Sequence, residues 1–252
     1  MVDAPWVYPF LFLIGLAAGW IDSIAGGGGL ITIPALLGLG VPPQVALGTN
    51  KFQASFGSLT ASFYYIKKRV VALEDARLGI AWTLVGASAG TWAVQRMSPD
   101  FLNLLIPLLL LAIALFMLVA PRVSDHDGHP NMGRLPFYAV FGLALGFYDG
   151  FFGPGVGSFW AFAFIAALGF NLTKATGYTK VMNFTSNIVS FLLFFLGGFV
   201  LVLPALVMAA GQIVGARAGS TMAIQRGARF IRPVFIAVVI LTTLKLLADR
   251  VS

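Results

Sequence analysis

The chain has 252 residues, of which 59% are hydrophobic and only 10% charged, where a soluble domain carries roughly 25% charged residues. Its mean hydropathy of +0.92 excludes an ordinary soluble globular protein, and at about 20 apolar residues per bilayer crossing the length holds at most about ten spans. The formal net charge of +7 sits in short connectors between apolar stretches, as the positive-inside rule describes, which argues against nucleic acid as a partner.

The opening MVDAPWVYPF has no Lys or Arg, so it lacks the basic region of a secretory signal and the first apolar segment reads as retained. Apolar stretches follow from Trp6 to Ile24, Leu30 to Leu39, Val45 to Ile66, Ala76 to Val94 and Phe101 to Ala120. After a charged connector from Arg122 to Arg134 they resume from Leu135 to Phe152, Ser158 to Leu168, Ala175 to Leu196, Leu203 to Ala223 and Phe230 to Ala248. Two of these are too short to span. Leu30 to Leu39 follows Gly26-Gly27-Gly28-Gly29, and Ser158 to Leu168 follows Gly153-Pro154-Gly155-Val156-Gly157. Such breaks at matching places in two halves point to discontinuous helices around a transport site.

The halves correspond residue by residue. Gly19-Trp20-Ile21-Asp22 lies opposite Gly146-Phe147-Tyr148-Asp149 at an offset of 127, while Lys51 lies opposite Lys180, and Gly86 and Gly90 opposite Gly215 and Gly219, at 129. The expected fold is an all-α polytopic membrane protein, one transmembrane domain over residues 1–252. Repeat 1 covers 6–121, a cytoplasmic linker 122–134 and repeat 2 135–250, each repeat a glycine-broken helical hairpin plus three transmembrane helices. If each hairpin enters and leaves on one face, three further crossings invert the second repeat. Lys67, Lys68, Arg69, Arg77, Arg122, Arg134, Lys174, Arg226, Arg229 and Arg232 then lie cytoplasmic, with Arg96, Lys245 and Arg250 near the other side. If Trp6 to Ile24 crosses fully, the repeats are parallel and the Arg226 cluster lies outside; the inverted arrangement fits the cations better.

Glycine runs in a bilayer require a reason, because they weaken helices and an unpaired amide in lipid costs several kcal/mol. Where half-helices restart, the first amides lack intrahelical partners and suit an anion. Gly26, Gly27, Gly28, Gly29, Gly153, Gly155 and Gly157 are therefore candidate substrate-binding residues, although small residues also serve helix packing. Lys51 and Lys180, each inside or at the mouth of an apolar segment, are candidate countercharges, unless both reach to an interface. Thr32, Asn50, Ser158 and Thr179 add hydrogen-bond donors, with Gln53, Asn183, Asn187 and Gln212 behind them. Arg217 has no basic counterpart in the first half and is a further candidate for an oxyanion. Asp22 and Asp149, four residues before the breaks, either pair with a lysine or exchange a coupling proton.

The absence of cysteine excludes disulfides, thiolate ligands and cysteine nucleophiles. No triad, zinc spacing or phosphate-binding loop of the GxxxxGK type is present, so no enzymatic function, metal or cofactor is expected. His126 and His129 with Asp125 and Asp127 read as a solvated loop.

The segment from Gly19 to Leu36, GWIDSIAGGGGLITIPAL, followed by Ala46-Leu47-Gly48-Thr49-Asn50-Lys51, resembles the TauE/SafE sulfite-exporter family, also called TSUP or DUF81. The second-half run from Gly146 to Gly155, with Asn171 to Thr176, is similar to its YfcA-type branch. The likeness extends over essentially the whole chain. It implies a multi-pass transporter of the bacterial inner membrane, with export or uptake of sulfite, organosulfonates or related sulfur oxyanions as the family's associated roles. The expected function is secondary transport of a small sulfur-containing anion by alternating access, with a proton or sodium as coupling ion and an oligomer compatible with the sequence. A passive anion channel and a non-transporting component of a larger complex are the alternatives. Pro154 and Val156 stand where the first half has Gly27 and Gly29, so the two half-sites are expected to contribute unequally.

Overall fold

The computed structural model describes residues 4–119 and 127–227, without the side chains of 113–119. The expected stretch from Phe230 to Ala248, residues 122–126 of the connector, and Arg122, Asp125, His126, Arg229, Arg232, Lys245 and Arg250 lie outside the described residues. Those described are helical, and no strand occurs among them.

The first helix, α1 (Val7–Ala25), stops at Gly26, which adopts the left-handed conformation at φ +76 and returns its N–H to the Asp22 carbonyl at 2.9 Å. A glycine is the favoured residue for such a stop. The chain restarts as the short α2 (Gly29–Gly38) and continues as α3 (Pro43–Lys67), α4 (Leu73–Val94) and α5 (Pro99–Val119). Pro43 occupies the first turn of α3, where its missing N–H leaves no bond unmade.

In the second half, α6 (Arg134–Phe137) runs through a π-helical turn at Tyr138–Gly142 into α7 (Leu143–Phe151). The chain breaks again, with Gly153 at φ +98 and Gly155 at φ +78, before α8 (Val156–Leu168). The connector is anchored to the second half through Asp127, which accepts hydrogen bonds from the backbone and side-chain nitrogens of Asn171. Asn171 in turn caps α9 (Leu172–Leu196) by accepting from the Lys174 amide at 2.9 Å. The last described helix is α10 (Val202–Arg226). Among the described residues three helices, α1, α9 and α10, are long and apolar enough to cross a membrane.

Glycines set which helices meet. A Cβ on Gly15 would stand 2.3 Å from the Met208 carbonyl oxygen, and one on Gly215 would stand 2.0 Å from that of Leu16. Between α4 and α7 the same holds for Gly90, 2.0 Å from the Phe147 carbonyl, and Gly150, 2.1 Å from that of Ala87. Both pairs therefore approach backbone to backbone, as small residues allow in membranes.

The order of these contacts gives the helix directions. Gly15 meets Met208 and Gly19 meets Gln212, so α1 and α10 run parallel; Gly142 meets Trp82 and Gly150 meets Ala87, so α7 and α4 do likewise. Gly48 touches Phe199 and Gly57 touches Gln212, which sets α3 parallel to α10. Thr83 contacts Met182 and Thr91 contacts Ser190, which sets α4 parallel to α9. Lys51 reaches Asn187 while Tyr65 packs on Gly177, so α3 and α9 are antiparallel. Helices α1, α3 and α10 point one way, and α4, α7 and α9 the other. Val7 and Leu11 at the start of α1 cluster with Leu36 and Leu39 from the end of α2 and Ala46 from the start of α3. The α1–α2 unit therefore doubles back before α3 departs.

These directions collect Lys67, Lys68, Arg69, Arg77, Arg134, Lys174 and Arg226 at one end of the bundle, where Arg134 pairs with Asp75, and leave Arg96 at the other. The flanks expose large apolar side chains such as Leu13, Phe63, Trp92, Leu104, Leu196 and Val214, while the interior holds Lys51, Asp149, Asn183 and Lys180. That inversion of the soluble pattern suits a protein whose outer solvent is hydrocarbon.

Candidate functional site at the two glycine breaks

The two breaks meet in the middle of the bundle. A Cβ on Gly26 would lie 2.6 Å from the Gly157 Cα, and one on Gly29 would lie 3.3 Å from the Pro154 Cα. Beside this crossing lies a small cavity with polar walls. The first break supplies Asp22, Gly26, Gly28 and Gly29 to its walls, and the second Asp149, Gly153, Gly155 and Val156. Asn50, Lys51 and Ala54 come from α3, and Asn183 and Asn187 from α9. A smaller cavity shares Gly26 with the first and is lined further by Gly157, Ala161, Leu172, Thr176, Thr179 and Lys180. The Gly26–Gly157 crossing thus stands between a polar cavity and a mostly apolar one.

Lys51 stands eight residues after Pro43, and Lys180 eight after Leu172, so each ammonium hangs from a point about 12 Å along its helix at 1.5 Å per residue. Both are buried, at 1% and 0% exposure, and neither reaches an interface. Lys51 donates to Asp149 Oδ1 at 2.5 Å and to Asn187 Oδ1 at 3.2 Å. Lys180 donates to the Asp22 carbonyl and to Asp22 Oδ2, the latter at 3.2 Å. Each lysine is therefore neutralised by the carboxylate of the opposite half. Two cations and two anions make a centre with no net charge.

The other candidates divide. Gly28 lines the larger cavity and turns its N–H toward Asp22 Oδ1 in a long contact of 3.5 Å, whereas the Gly27 carbonyl accepts from the Leu30 amide. Thr32 donates to Asn50 Oδ1 at 2.6 Å, tying α2 to α3, and Gln53 donates to the same oxygen at 2.8 Å. Ser158 bonds the Ala25 carbonyl at 3.2 Å and so links the second break to the first. Thr179 lines the smaller cavity with a buried hydroxyl that has no partner, and Asn183 Oδ1 is likewise unpartnered and buried beside the larger one. Gln212 packs between Gly19 and Gly57.

Arg217 stands apart from the two breaks. Its side chain is exposed, with the guanidinium 5.9 Å from the centre of the Tyr64 ring, and it lines neither cavity. It lies two residues from both Gly215 and Gly219, which face α1, and a separation of two carries a helical side chain to the far side. Ser186 is a polar partner of Asp149 that the sequence did not single out. Its hydroxyl bonds Asp149 Oδ2, and the position 129 residues earlier is Gly57, so the repeat carries no signal for it.

The profile of the family described as sulfite exporter TauE/SafE matches residues 11–246. The chain is 46% identical over 246 residues to the "Probable membrane transporter protein YfcA" of Escherichia coli, covering 98% of this chain and 91% of that protein. It is 46% identical over 240 residues to a "Probable membrane transporter protein" of Haemophilus influenzae, covering 95% and 94%. A more distant relative, the "Sulfite exporter TauE/SafE family protein 6" of Arabidopsis thaliana, is 26% identical over 134 residues, covering 49% of this chain and 31% of that one. No solved structure matches the chain. With the profile spanning nearly its whole length and the glycine-broken helices at the centre of its bundle, the chain belongs to the TauE/SafE family of membrane transport proteins.

Proposed function

We propose that the chain is a secondary transporter of a small sulfur-containing anion, of the sulfite or organosulfonate type, working by alternating access in a bacterial inner membrane. The observation that carries this reading is the cavity where the two glycine breaks meet, walled by a buried lysine, three asparagines and helix-terminal backbone. Lys51 supplies the countercharge and Asn50, Asn183 and Asn187 hydrogen bonds, with Gly28, Gly29 and Gly155 letting the ligand approach the backbone. The relatives' names speak of membrane transport and, in the plant proteins, of sulfite export.

The moving parts are two inverted repeats, residues 6–121 and 135–250, joined by the connector 122–134. Helices at matching positions run in opposite senses in three pairs among the described residues: α1 against α7, α3 against α9, and α4 against α10. Packing is exchanged between the halves, since α1 lies on α10 and α7 on α4, through Gly15 and Gly19 in one case and Gly142 and Gly146 in the other. The basic end of the bundle faces the cytoplasm by the positive-inside rule, and the Gly26–Gly157 crossing is the partition that parts when one repeat rocks against the other.

Thermal stabilisation of the detergent-purified protein tests the cargo, because a ligand that binds the folded state raises its apparent stability by mass action. Isethionate, sulfoacetate, taurine and sulfite, compared with non-sulfur carboxylates, are expected to give a selective shift that Lys51→Ala abolishes. A carboxylate-selective shift, or none with any sulfur anion, would contradict the assigned cargo.

A further inference from the structure

The charges around the cavity cancel, and that constrains what can enter. Lys51 and Lys180 are matched by Asp149 and Asp22, so an anion arriving beside Lys51 meets no net positive charge and stands close to a buried carboxylate. Where the dielectric is low, like charges at such range repel strongly. An anion can be held there only if a carboxylate gives up its charge.

The two carboxylates differ in their capacity to do so. Asp22 is held by the Lys180 ammonium at Oδ2 and by the Gly28 amide at Oδ1. Both partners can only donate, so a protonated Asp22 would set a proton against a donor. Asp149 is held by the Lys51 ammonium at Oδ1 and by the Ser186 hydroxyl at Oδ2. A hydroxyl donates one hydrogen bond and accepts others, and Ser186 Oγ also lies 3.2 Å from the Met182 carbonyl and 3.1 Å from that of Asn183. Ser186 can therefore turn its proton to either carbonyl and accept one from a neutral Asp149. Lys51 keeps Asn187 as a second partner throughout.

From this asymmetry we infer that the coupling ion is a proton, that Asp149 binds it, and that one proton crosses with each singly charged anion; the inference rests on the transport reading above. The Asp149 carboxylate takes a proton from water on the loading side and the ion pair with Lys51 ends. Lys51 then carries an uncompensated positive charge that binds the anion. On the opposite side the anion leaves, the proton returns to water and the ion pair re-forms, so the empty and the fully loaded centre each carry no net charge. Asp22 keeps its charge and holds Lys180 against the first break.

The charged and titratable groups facing Asp149 are Lys51 from α3, Asp22 from α1 and Tyr148 on α7 itself, with Lys180 of α9 behind Asp22. Tyr148 directs its hydroxyl to the Pro154 carbonyl at 2.7 Å. On α4 the ionisable residues Glu74, Asp75 and Arg77 stand in the first two turns, and α8 has none.

Isethionate stays singly charged from acid to alkaline pH, so any proton taken up when it binds belongs to the protein. Binding to the purified chain is measured calorimetrically in buffers of different ionisation enthalpy and across pH. The expected result is uptake of up to one proton per anion. Affinity should be highest at acid pH and fall by up to about tenfold per pH unit between the Asp149 pKa of the empty site and its higher value in the loaded site. In Asp149→Asn, binding should persist with neither proton uptake nor a slope. In Ser186→Ala, which keeps the carboxylate but removes its adaptable partner, the slope should move to a different pH while proton uptake persists. Saturable binding by the wild type that is flat in pH and takes up no proton, or that strengthens with sodium instead, overturns the proton inference and leaves the transport reading standing. No saturable binding of any sulfonate or sulfite overturns both.

Discussion

Replacing Lys51 with alanine is expected to abolish saturable transport and to lower the unfolding free energy by about 3 kcal/mol, the lower part of the range for breaking one side of a buried ion pair. The side chains of Lys51 and Asp149 are 2% and 3% exposed, so the remaining carboxylate could not recover its hydration. It keeps Ser186 but loses the cation it pairs with among the described residues. Substituting both members, Lys51→Ala with Asp149→Ala, removes the stranded charge, and stability should return most of the way toward wild type. Transport should not return, because the countercharge for the anion is still missing. A double-mutant cycle on chemical unfolding, run beside uptake by reconstituted protein, separates the two effects. Equal stability losses in the single and double variants would contradict the pairing as the source of the cost.

Gly26→Ala is expected to be the second most damaging change. Gly26 adopts φ +76, where a side chain costs about 1–2 kcal/mol, and its Cβ would stand 2.6 Å from the Gly157 Cα. Overpacking of that kind adds about 1–3 kcal/mol, giving a total of about 2–5 kcal/mol. Because Gly26 lines both cavities, any surviving protein should have its partition wedged apart and its counterflow impaired. Gly38→Ala is the matched control, with no atom within 4 Å of the new Cβ, and should leave the apparent Tm within a degree or two. A Gly26→Ala protein as stable and active as this control would remove the crossing from the account.

Much of the candidate site could be picked out in the sequence because its residues are rare against an apolar background. Four consecutive glycines, an acid one turn before them and a lysine at a repeated offset stand out where nearly everything else is aliphatic or aromatic. The structure puts α2 and α8 within two residues of the short stretches read from hydropathy. Which lysine meets which aspartate was not legible, since a repeat offset relates equivalent positions and says nothing of contacts across the two halves. Arg217 was singled out because it has no basic counterpart in the first half; the glycines two residues to either side of it take the packed face and turn it outward, away from both cavities. Ser186 escaped notice because a single hydroxyl in a helix is commonplace, and only the nearby Asp149 gives it a role. The π-helical turn at Tyr138–Gly142 leaves no mark on hydropathy at all.

The most direct test is counterflow by the purified chain alone in liposomes. Vesicles loaded with unlabelled isethionate should transiently concentrate labelled isethionate from outside, faster than empty vesicles do, and Lys51→Ala should abolish the overshoot. Equilibration with no acceleration by internal substrate would instead mark an open pore, and no flux from the reconstituted wild type would contradict the transport account itself.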